Sequence, residues 1–466
     1  MDTPEKTETP AGGQLSRRTF LGTTAAAAAG LLVVPRHVVG ATQKKKAPSD
    51  TLIIGCVGVG GKGFSDIQAA STENIAALCD VDDLQTADFL RSDQHEPDKK
   101  AMYEKAAKYR DWRRMLEKEK GLDAITVSTP DHNHAVIAMA GLKLGKHVFV
   151  QKPLTHTVKE ARLLAQAARE AKVTTQMGNQ GHAKEGARLL NEWIWAGAIG
   201  NVTRVDAWTD RPIWLQGGMN APREIPAVPS TLDWDVWIGP SPFRPYHPTY
   251  HPFSWRGLWD FGTGSLGDMG AHILDQPFWA LDLGAPDTVQ ASSSAYSKDY
   301  YPAAQVVTYR FPARGSRGPV ELTWWDAGLM PPRPEELEPG RMMGEENNGC
   351  LFRGDKGLLL CGVYGENPRL IPETAMQAFT RPEKTIPRSP GIMEEWIEAI
   401  KKGTKSTTDF ADFSGPLTEV MLLANVAVRM KEKNTVLRWD SEKMTFPNMP
   451  EADEFLHMIY RPGWSL

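Results

Sequence analysis

Cysteine is scarce in this chain, and its scarcity excludes two kinds of protein. Cys56, Cys79, Cys350 and Cys361 are the only four in 466 residues. Scattered in this way, they predict neither a disulfide framework nor a zinc site built from paired Cys-x-x-Cys motifs. An excess of basic charge is also missing, because 53 lysines and arginines stand against 57 acidic residues, for a net charge of −4. This balance argues against a nucleic-acid-binding protein held by a basic surface.

The signatures of several enzyme classes are missing as well. The chain contains no G-x-S-x-G motif, no Walker loop, no H-E-x-x-H pair and no internal repeat. These absences argue against serine hydrolases, P-loop nucleotide hydrolases and zinc proteases. A chain of 466 residues has room for two or three domains with large buried cores. A soluble enzyme of another class is the interpretation that remains.

Residues 1–46 are predicted to be a targeting segment rather than part of the fold. Arg17 and Arg18 precede fifteen apolar or small residues (20–34), and small residues at 39–41 are suitable for signal cleavage. This apolar stretch is shorter than the about 20 residues that a membrane span needs. The pattern resembles a twin-arginine export signal, with a disordered tail or an uncleaved anchor as alternatives. It predicts a periplasmic or exported protein with no stable membrane span after signal removal.

A glycine-rich loop follows the first apolar run of the remaining chain (52–57). Residues 58–63 match G-x-G-x-x-G, and a helical pattern comes next. In a dinucleotide site these glycines permit a tight turn, close approach of the pyrophosphate and packing of helix on strand. The phosphates then lie at the helix N-terminus, where free N–H groups favour anions. The predicted contacts in this loop are Gly58, Gly60, Gly61, Lys62 and Gly63.

An acidic residue ends the second apolar run of the chain. Asp80 lies 22 residues after Gly58, where a carboxylate accepts hydrogen bonds from the ribose hydroxyls of the cofactor. No arginine stands beside Asp80 to hold a 2′-phosphate, and Asp82 and Asp83 follow it. The pattern therefore favours NAD over NADP. An ordinary turn with a surface aspartate is the alternative.

Two more buried strands (124–128 and 147–150) each lead into a polar loop. The first loop reads Thr-Pro-Asp-His-Asn-His (129–134), and the second reads Gln-Lys-Pro (151–153). Ligands of open α/β sheets bind beyond the carboxyl ends of the strands, so these loops are expected to meet the glycine loop in one crevice. They add the following predicted cofactor contacts: Thr129, Pro130, His132, His134, Gln151 and Lys152.

With a D-x-x-x-H signature at Asp268 and His272, the motifs resemble those of the glucose-fructose oxidoreductase / inositol dehydrogenase / MocA (Gfo/Idh/MocA) family over most of residues 50–440. The resemblance implies an N-terminal Rossmann parallel sheet and a C-terminal α/β domain with an open, mostly antiparallel sheet. The domains implied are 47–177 and 178–440, with a C-terminal tail at 441–466. Predicted strands of the second sheet are 202–208, 288–293, 305–311, 320–325 and 358–362.

The resemblance also implies which residues surround the reacting carbon, namely Lys152, Asp268 and His272. Asp268 and His272 are four residues apart and share one face of a helix. Histidine is suited to take or return a hydroxyl proton, and a lysine stabilises a developing alkoxide. Asp268 would orient His272 or bind a substrate hydroxyl. The chain departs from the family at Gln151, where the usual residue is Glu, and the acid/base assignment therefore stays open.

Tryptophan is concentrated around a Pro/Trp-rich segment, 209–263, which we interpret as an insertion roofing the site. Eight of the chain's 15 tryptophans lie between residues 193 and 259. Flat aromatic rings suit the apolar faces of sugars, although a Trp-rich core or an oligomer interface would look the same. The predicted substrate contacts are His182, Trp214, Tyr246, Trp255 and Asp275. Prolines around His247 and His251 disfavour a helical zinc pair there, and no metal is predicted.

Together these observations predict an NAD-dependent oxidoreductase acting on a sugar hydroxyl or ketone. A periplasmic enzyme has no large pool of cofactor to exchange with, so the export signal favours a tightly bound, internally recycled NAD. An NAD-dependent glycoside hydrolase that oxidises, eliminates, hydrates and reduces is one alternative. A non-catalytic cofactor-binding sensor is another. The resemblance also implies a homo-oligomer formed through the open sheet of the second domain.

Overall fold

The computed structural model describes residues 50–466, so the predicted export signal lies outside the described part of the chain. Six strands form the first sheet: β1 (Ile53–Val57), β2 (Asn74–Cys79), β3 (Ala107–Tyr109), β4 (Ala124–Val127), β5 (His147–Val150) and β6 (Thr175–Met177). They pair in parallel in the order β3-β2-β1-β4-β5-β6. Their apolar runs suit a sheet covered on both faces. The predicted Rossmann sheet is confirmed.

Helices connect these parallel strands. They are α1 (Lys62–Ala70), α2 (Asp83–Arg91), α3 (Pro97–Lys105), α4 (Trp112–Lys118), α5 (Asp131–Lys143) and α6 (Val158–Ala171). The capping box at the start of α6 is present, because Thr157 accepts from the Glu160 N–H and Glu160 accepts from the Thr157 N–H. Helix α5 ends at Lys143, and Gly145, two residues beyond it, takes a positive φ of 67°.

Eight strands form the second sheet, in the order β13-β12-β11-β7-β10-β9-β8-β14. They are β7 (Val202–Trp208), β8 (Thr288–Ser293), β9 (Gln305–Phe311), β10 (Val320–Trp325), β11 (Gly349–Gly354), β12 (Gly357–Cys361), β13 (Arg369–Ile371) and β14 (Leu437–Arg438). All neighbours are antiparallel except β7 and β10, which pair in parallel. The mostly antiparallel second sheet is thus confirmed. Strands β11, β13 and β14 were not predicted from the sequence.

The remaining helices are α7 (Glu185–Trp195), α8 (Trp234–Ile238), α9 (Gly264–Ile273), α10 (Asp275–Ala280), α11 (Glu373–Ala378), α12 (Ile392–Lys402) and α13 (Gly415–Arg429). Helix α13 is buried almost all round and packs against α6, α9 and β8. Helix α12 returns to the first sheet, where the Trp396 indole donates to the Thr174 carbonyl at 3.2 Å. Residues assigned by sequence to the second domain therefore complete the core of the first.

The Pro/Trp-rich segment 209–263 has little regular structure. It contains α8 and a 3₁₀ turn, Ser254–Gly257. Its aromatic side chains form a cluster of their own, in which the Trp234 and Trp237 rings stack at 4.5 Å. Backbone hydrogen bonds from Asp233 to Val81 and from Asp83 to Thr231 fasten the segment to the first sheet. Within residues 50–466, no helix combines the length and apolarity needed to cross a membrane.

Candidate active site

A cavity of about 650 Å³ opens at the carboxyl ends of β1, β2, β4 and β5. We call the loops that follow these four strands the floor, and residues 209–263 the roof. The far side of the cavity is closed by α9 and by Tyr364, from the loop after β12. Pockets at this edge of a parallel sheet are where α/β proteins bind ligands.

The glycine loop has the geometry that a dinucleotide needs. A Cβ on Gly58, whose φ is +84°, would lie 2.3 Å from the Ser128 carbonyl oxygen, and one on Gly63 would lie 2.1 Å from the Gly58 oxygen. Only glycine permits these approaches of loop to strand and of helix to loop. Gly61 faces open space, and Gly60, Gly61 and Lys62 line the cavity. The loop therefore fits a pyrophosphate, whereas Gly63 contributes through packing.

Asp80 ends β2 at the cavity wall and fixes the glycine loop. One carboxylate oxygen accepts from the N–H groups of Val59 at 2.8 Å and Gly60 at 3.3 Å, and the other accepts from Asp82 at 3.0 Å. Burial raises the pKa of Asp80, and these N–H donors oppose the rise. The carboxylate thus shapes the loop as well as facing the position predicted for the ribose.

Two predicted cofactor contacts, His132 and His134, lie behind the floor and do not line the cavity. The two ring nitrogens of His132 face the backbone carbonyls of Phe261 and Trp237, and those of His134 face the carbonyls of Pro153 and Thr129. A neutral ring donates to one of its two carbonyls. Burial lowers the pKa of His132 to about 3 and that of His134 to about 4, so both rings are neutral. They hold the floor loops in place.

Gln151, the departure from the family pattern, is bonded to a buried carboxylate. Its amide donates to Asp66 Oδ2 at 2.9 Å, and the Ser128 hydroxyl donates to the same oxygen at 2.8 Å. Lys62 forms an ion pair with Asp66 Oδ1 at 2.5 Å. Asp66 therefore joins the glycine loop, the end of β4 and the residue before Lys152. Sequence analysis missed this residue, and no motif marks it.

Lys152, Asp268 and His272 meet at one end of the cavity. Lys152 Nζ donates to Asp268 Oδ1 at 2.7 Å and to the Asp268 backbone oxygen at 2.9 Å. Asp268 and His272 are on the same face of α9, as their spacing predicts. All three line the cavity together with Gln151.

The protonation states of this cluster suit proton transfer. Burial opposes the charge of Asp268, but Lys152 and Arg256 hold its pKa at about 2, so it is ionised. Burial and the Lys152 charge place the pKa of His272 well below its usual value, so the ring is neutral. Among the described residues, His272 Nδ1 has no hydrogen-bond partner. A neutral imidazole with a free nitrogen can accept a proton.

Two more groups at this end escaped the sequence analysis. Asp131 lines the cavity and accepts from the Thr263 hydroxyl at 2.6 Å, and burial raises its pKa to about 7. Its position within the Thr-Pro-Asp-His loop could have marked it. Tyr364 meets the His272 ring edge to face, with ring centroids 4.9 Å apart, and burial raises its pKa. Nothing in the sequence marks Tyr364.

The predicted substrate contacts divide into two groups. Trp214 and Trp255, both from the roof, line the cavity. Tyr246 does not line it, because its ring packs edge to face on Trp234 inside the aromatic cluster. His182 and Asp275 also lie outside the lining, paired with each other at 2.9 Å and almost fully buried.

Other roof residues reach the cavity, including His251, which pairs with Asp82 at 3.1 Å, and Arg211 and Arg256. Arg256 directly follows Trp255, which the tryptophan-rich pattern marks, whereas no sequence pattern marks Arg211. No cluster of three or more His, Cys, Asp or Glu residues in the 50–466 range is arranged to hold a metal ion.

Residues 50–179 match the NAD-binding Rossmann-fold model of the GFO_IDH_MocA oxidoreductase family, and residues 195–316 match the C-terminal alpha/beta domain model of that family. The two matches cover more than half of the chain, in the order in which the two sheets occur. The chain belongs to the Gfo/Idh/MocA oxidoreductase family.

Individual relatives are more distant. A levoglucosan dehydrogenase from Pseudarthrobacter phenanthrenivorans is 26% identical over 166 residues, covering 35% of this chain and 34% of the relative. A glycosyl hydrolase family 109 protein from Shewanella pealeana is 31% identical over 198 residues, covering 38% and 42%. The matched parts thus span less than half of the length of either relative.

Among solved structures, the WlbA dehydrogenase from Bordetella pertussis, in complex with NADH and UDP-GlcNAcA, aligns with a TM-score of 0.56. The alignment covers 84% of this chain and 99% of WlbA. At 17% identity, it shows that the two folds are similar.

Proposed function

We propose that the protein is an NAD-dependent oxidoreductase that interconverts a hydroxyl and a ketone on a sugar or sugar derivative. The observation that carries this proposal is the meeting of Lys152, Asp268 and His272 at one end of a cavity whose other end is the glycine loop. The names of the levoglucosan dehydrogenase and WlbA relatives support a sugar-directed activity.

The roles of the three residues follow from their charges. A dinucleotide held by the glycine loop and Asp80 would supply the hydride acceptor for oxidation and the hydride donor for the reverse reaction. In oxidation, the hydroxyl proton passes to neutral His272, and Asp268 stabilises the imidazolium that forms. Lys152 donates a hydrogen bond to the substrate oxygen as negative charge develops there. The alcohol thus loses one hydride and one proton, and the C–O bond becomes a carbonyl.

NAD rather than NADP is part of the proposal. Asp80 and Asp82 place negative charge beside the glycine loop, which disfavours a 2′-phosphate. Arg110 also lines this region, but its guanidinium is bonded to the Asp83 carboxylate and to the Thr231 carbonyl. Its charge is therefore already offset by the Asp83 carboxylate.

Export by the twin-arginine pathway and residence in the periplasm also belong to the proposal, on the strength of Arg17 and Arg18 before a short apolar stretch. A cofactor used outside the cytoplasm must be carried in place and regenerated there. We therefore propose that NAD stays bound and is recycled between an oxidation and a reduction. Association through the second sheet into a homo-oligomer completes the proposal.

A second candidate is an NAD-dependent glycoside hydrolase, favoured by the match to glycosyl hydrolase family 109. Such a reaction oxidises a sugar hydroxyl, removes the proton on the adjacent carbon, expels the glycosidic oxygen, adds water and reduces the ketone. Its additional requirement is a base near the adjacent carbon. Tyr364 and Asp131 both lie at the Lys152 end of the cavity and could supply one.

The experiment is to purify the protein without added nucleotide, denature it and identify what is released by absorbance and mass. We expect close to one NAD or NADH per chain. The native protein is then tested on paired sugars and on aryl glycosides without added NAD. Sugar-dependent reduction of a second sugar supports the oxidoreductase, whereas release of the aryl group alone supports the glycosidase. A protein that neither holds nor binds a dinucleotide contradicts both.

A further inference from the structure

Two arginines of the roof face the Lys152 end of the cavity. Arg256 helps to keep Asp268 ionised, and Arg211 has no part in the chemistry described above. Arg256 lies on the 3₁₀ turn Ser254–Gly257, and Arg211 lies just after β7. Both line the cavity. They come from the two ends of the roof, 45 positions apart in the sequence, and the fold places both in the lining of one cavity.

Arg256 is held rigidly. Its guanidinium lies over the rings of Trp255, at 4.3 Å from the centroid, and Phe253, at 4.7 Å. One terminal nitrogen donates to the Phe253 backbone oxygen at 3.0 Å, and Nε is 3.6 Å from Asp268 Oδ1. The other terminal nitrogen has no acceptor in the described part of the chain. A guanidinium fixed in this way binds a ligand with little loss of side-chain entropy.

Arg211 is anchored through its backbone. Its carbonyl accepts from the Ala327 N–H at 2.7 Å, which ties it to the end of the second sheet. One terminal nitrogen donates to the half-exposed Asp210 carboxylate at 2.5 Å. Its remaining N–H groups have no acceptor among residues 50–466. Arg211 and Tyr364 both line the cavity, and Tyr364 packs on His272.

Three cationic side chains at this end share two carboxylates. Lys152 lies 2.7 Å from Asp268, Arg256 Nε lies 3.6 Å from the same carboxylate, and Arg211 lies 2.5 Å from Asp210. His272 is neutral. Hydride transfer from a neutral sugar needs one donor at the reacting oxygen, and Lys152 supplies it. Guanidinium N–H groups left without an acceptor in a partly desolvated site are costly unless a ligand accepts from them.

We propose that the substrate is an acidic sugar whose carboxylate is bound by Arg256 and Arg211. This inference rests on the proposed oxidoreductase function and names its substrate class. A planar carboxylate matches the two parallel N–H groups of a guanidinium. A phosphate, with nearly two charges, fits less well because Asp268 lies 3.6 Å from Arg256 Nε and would repel it.

The test compares matched pairs of neutral and acidic sugars, namely glucose with glucuronate, galactose with galacturonate and mannose with mannuronate. Binding to the cofactor-loaded protein is measured by calorimetry, independently of turnover, and initial rates are measured alongside. We expect at least one acid to bind about tenfold or more tightly than its neutral partner, with kcat/KM following. Added salt should weaken binding of the acid more than that of the neutral sugar.

Variants identify the groups responsible. Arg256→Gln and Arg211→Gln should each reduce the ratio of acid to neutral-sugar affinity severalfold, mainly by raising the KM of the acid. Arg256→Lys keeps the charge but loses the planar pair of N–H groups. Its preference for the acid should therefore lie between those of the wild type and Arg256→Gln. Arg223→Gln, an exposed roof arginine that does not line the cavity, is the matched control. Thermal melting checks that each variant is folded.

Equal binding of acid and neutral sugar in every pair would overturn the inference, as would a preference that survives both glutamine variants. Tighter binding of glucose 6-phosphate than of any sugar acid would overturn the assignment to a carboxylate. If an acid binds as expected but no sugar is oxidised or reduced by the cofactor-loaded protein, the proposed function fails and the binding inference stands.

Discussion

The floor and the roof of the cavity are built on different physical principles. The floor consists of short loops after parallel strands, held by backbone hydrogen bonds, by close approaches that only glycine permits and by buried neutral histidines. The roof has one short helix and depends on its aromatic cluster and a few hydrogen bonds to the first sheet. The floor thus fixes the groups that a common cofactor needs, whereas the roof can vary in side chains without altering the sheet. In the proposed function, the chemistry is accordingly assigned to the floor and α9, and substrate selectivity to the roof.

The largest effect is expected at the floor. Lys152→Met keeps the length of the side chain and removes the charge that stabilises a developing alkoxide. We expect kcat to fall about 10² to 10³-fold while the cofactor remains bound. Steady-state rates together with the stoichiometry of released cofactor measure both quantities. Lys159→Met, an exposed lysine at the start of α6, is the control, and an equal loss there would contradict the assignment.

The Asp131–Thr263 bond joins the floor to the last residue of the roof. Because the folded pKa of Asp131 is raised to about 7, the protonated acid contributes stability that is present below about pH 4 and is lost as pH rises through 7. The unfolding free energy of the wild type should therefore fall relative to Asp131→Asn by roughly 2 to 4 kcal/mol over this window. Urea unfolding between pH 4 and 8 measures the difference. The exposed Asp98→Asn control should follow the wild type, and parallel curves for all three proteins would refute the effect.

Gln151→Glu tests the contact between the floor and α1. The new carboxylate would lie against Asp66, since the amide nitrogen it replaces is 2.9 Å from Asp66 Oδ2. We expect a loss of about 1 to 3 kcal/mol in unfolding free energy at pH 8, and a smaller loss at pH 5, where the two groups can share a proton. Adding Asp66→Asn should restore a donor–acceptor pair and most of the stability. An unrescued double variant would mean that repulsion is not the cause.

The smallest effect is expected in the roof. Trp214→Ala removes a ring that lines the cavity and whose indole donates to Gln216 at 2.7 Å. We expect the KM for the sugar to rise about tenfold, with the cofactor dissociation constant unchanged. The control is Phe243→Ala, an exposed roof residue outside the cavity lining. Weaker cofactor binding in the Trp214 variant would contradict the assignment of cofactor binding to the floor and of substrate selectivity to the roof.

Local patterns predicted four strands of the first sheet, β1, β2, β4 and β5, because each is a compact apolar run followed by a polar loop. The three-residue strands β3 and β6 were not predicted, since each contains a polar residue and neither forms an apolar run. The second sheet was harder. Strand β13 has three residues and β14 has two, which are too few to show an alternation of apolar and polar side chains. The parallel pairing of β7 with β10 joins segments more than 100 residues apart and leaves no local trace.

The residues of the site likewise divide into those that sequence motifs mark and those that only the tertiary fold brings together. Lys152, Asp268 and His272 were identified from motifs and lie together in the cavity, whereas their role in catalysis remains a proposal. Contacts between distant residues, such as Asp66 with Gln151, are fixed only by the tertiary fold. His182 and Asp275 illustrate the opposite error, since both lie next to a motif and yet pair with each other outside the cavity lining.

Helix α12 has a consequence for how the protein is made. Met393, Trp396 and Ile397 share a core with Ile67 of α1 and Phe149 of β5, so this face of the first sheet is fully covered only after residues 392–402 have been made. The core of the Rossmann sheet is therefore completed late in synthesis, by a segment more than 200 residues beyond β6.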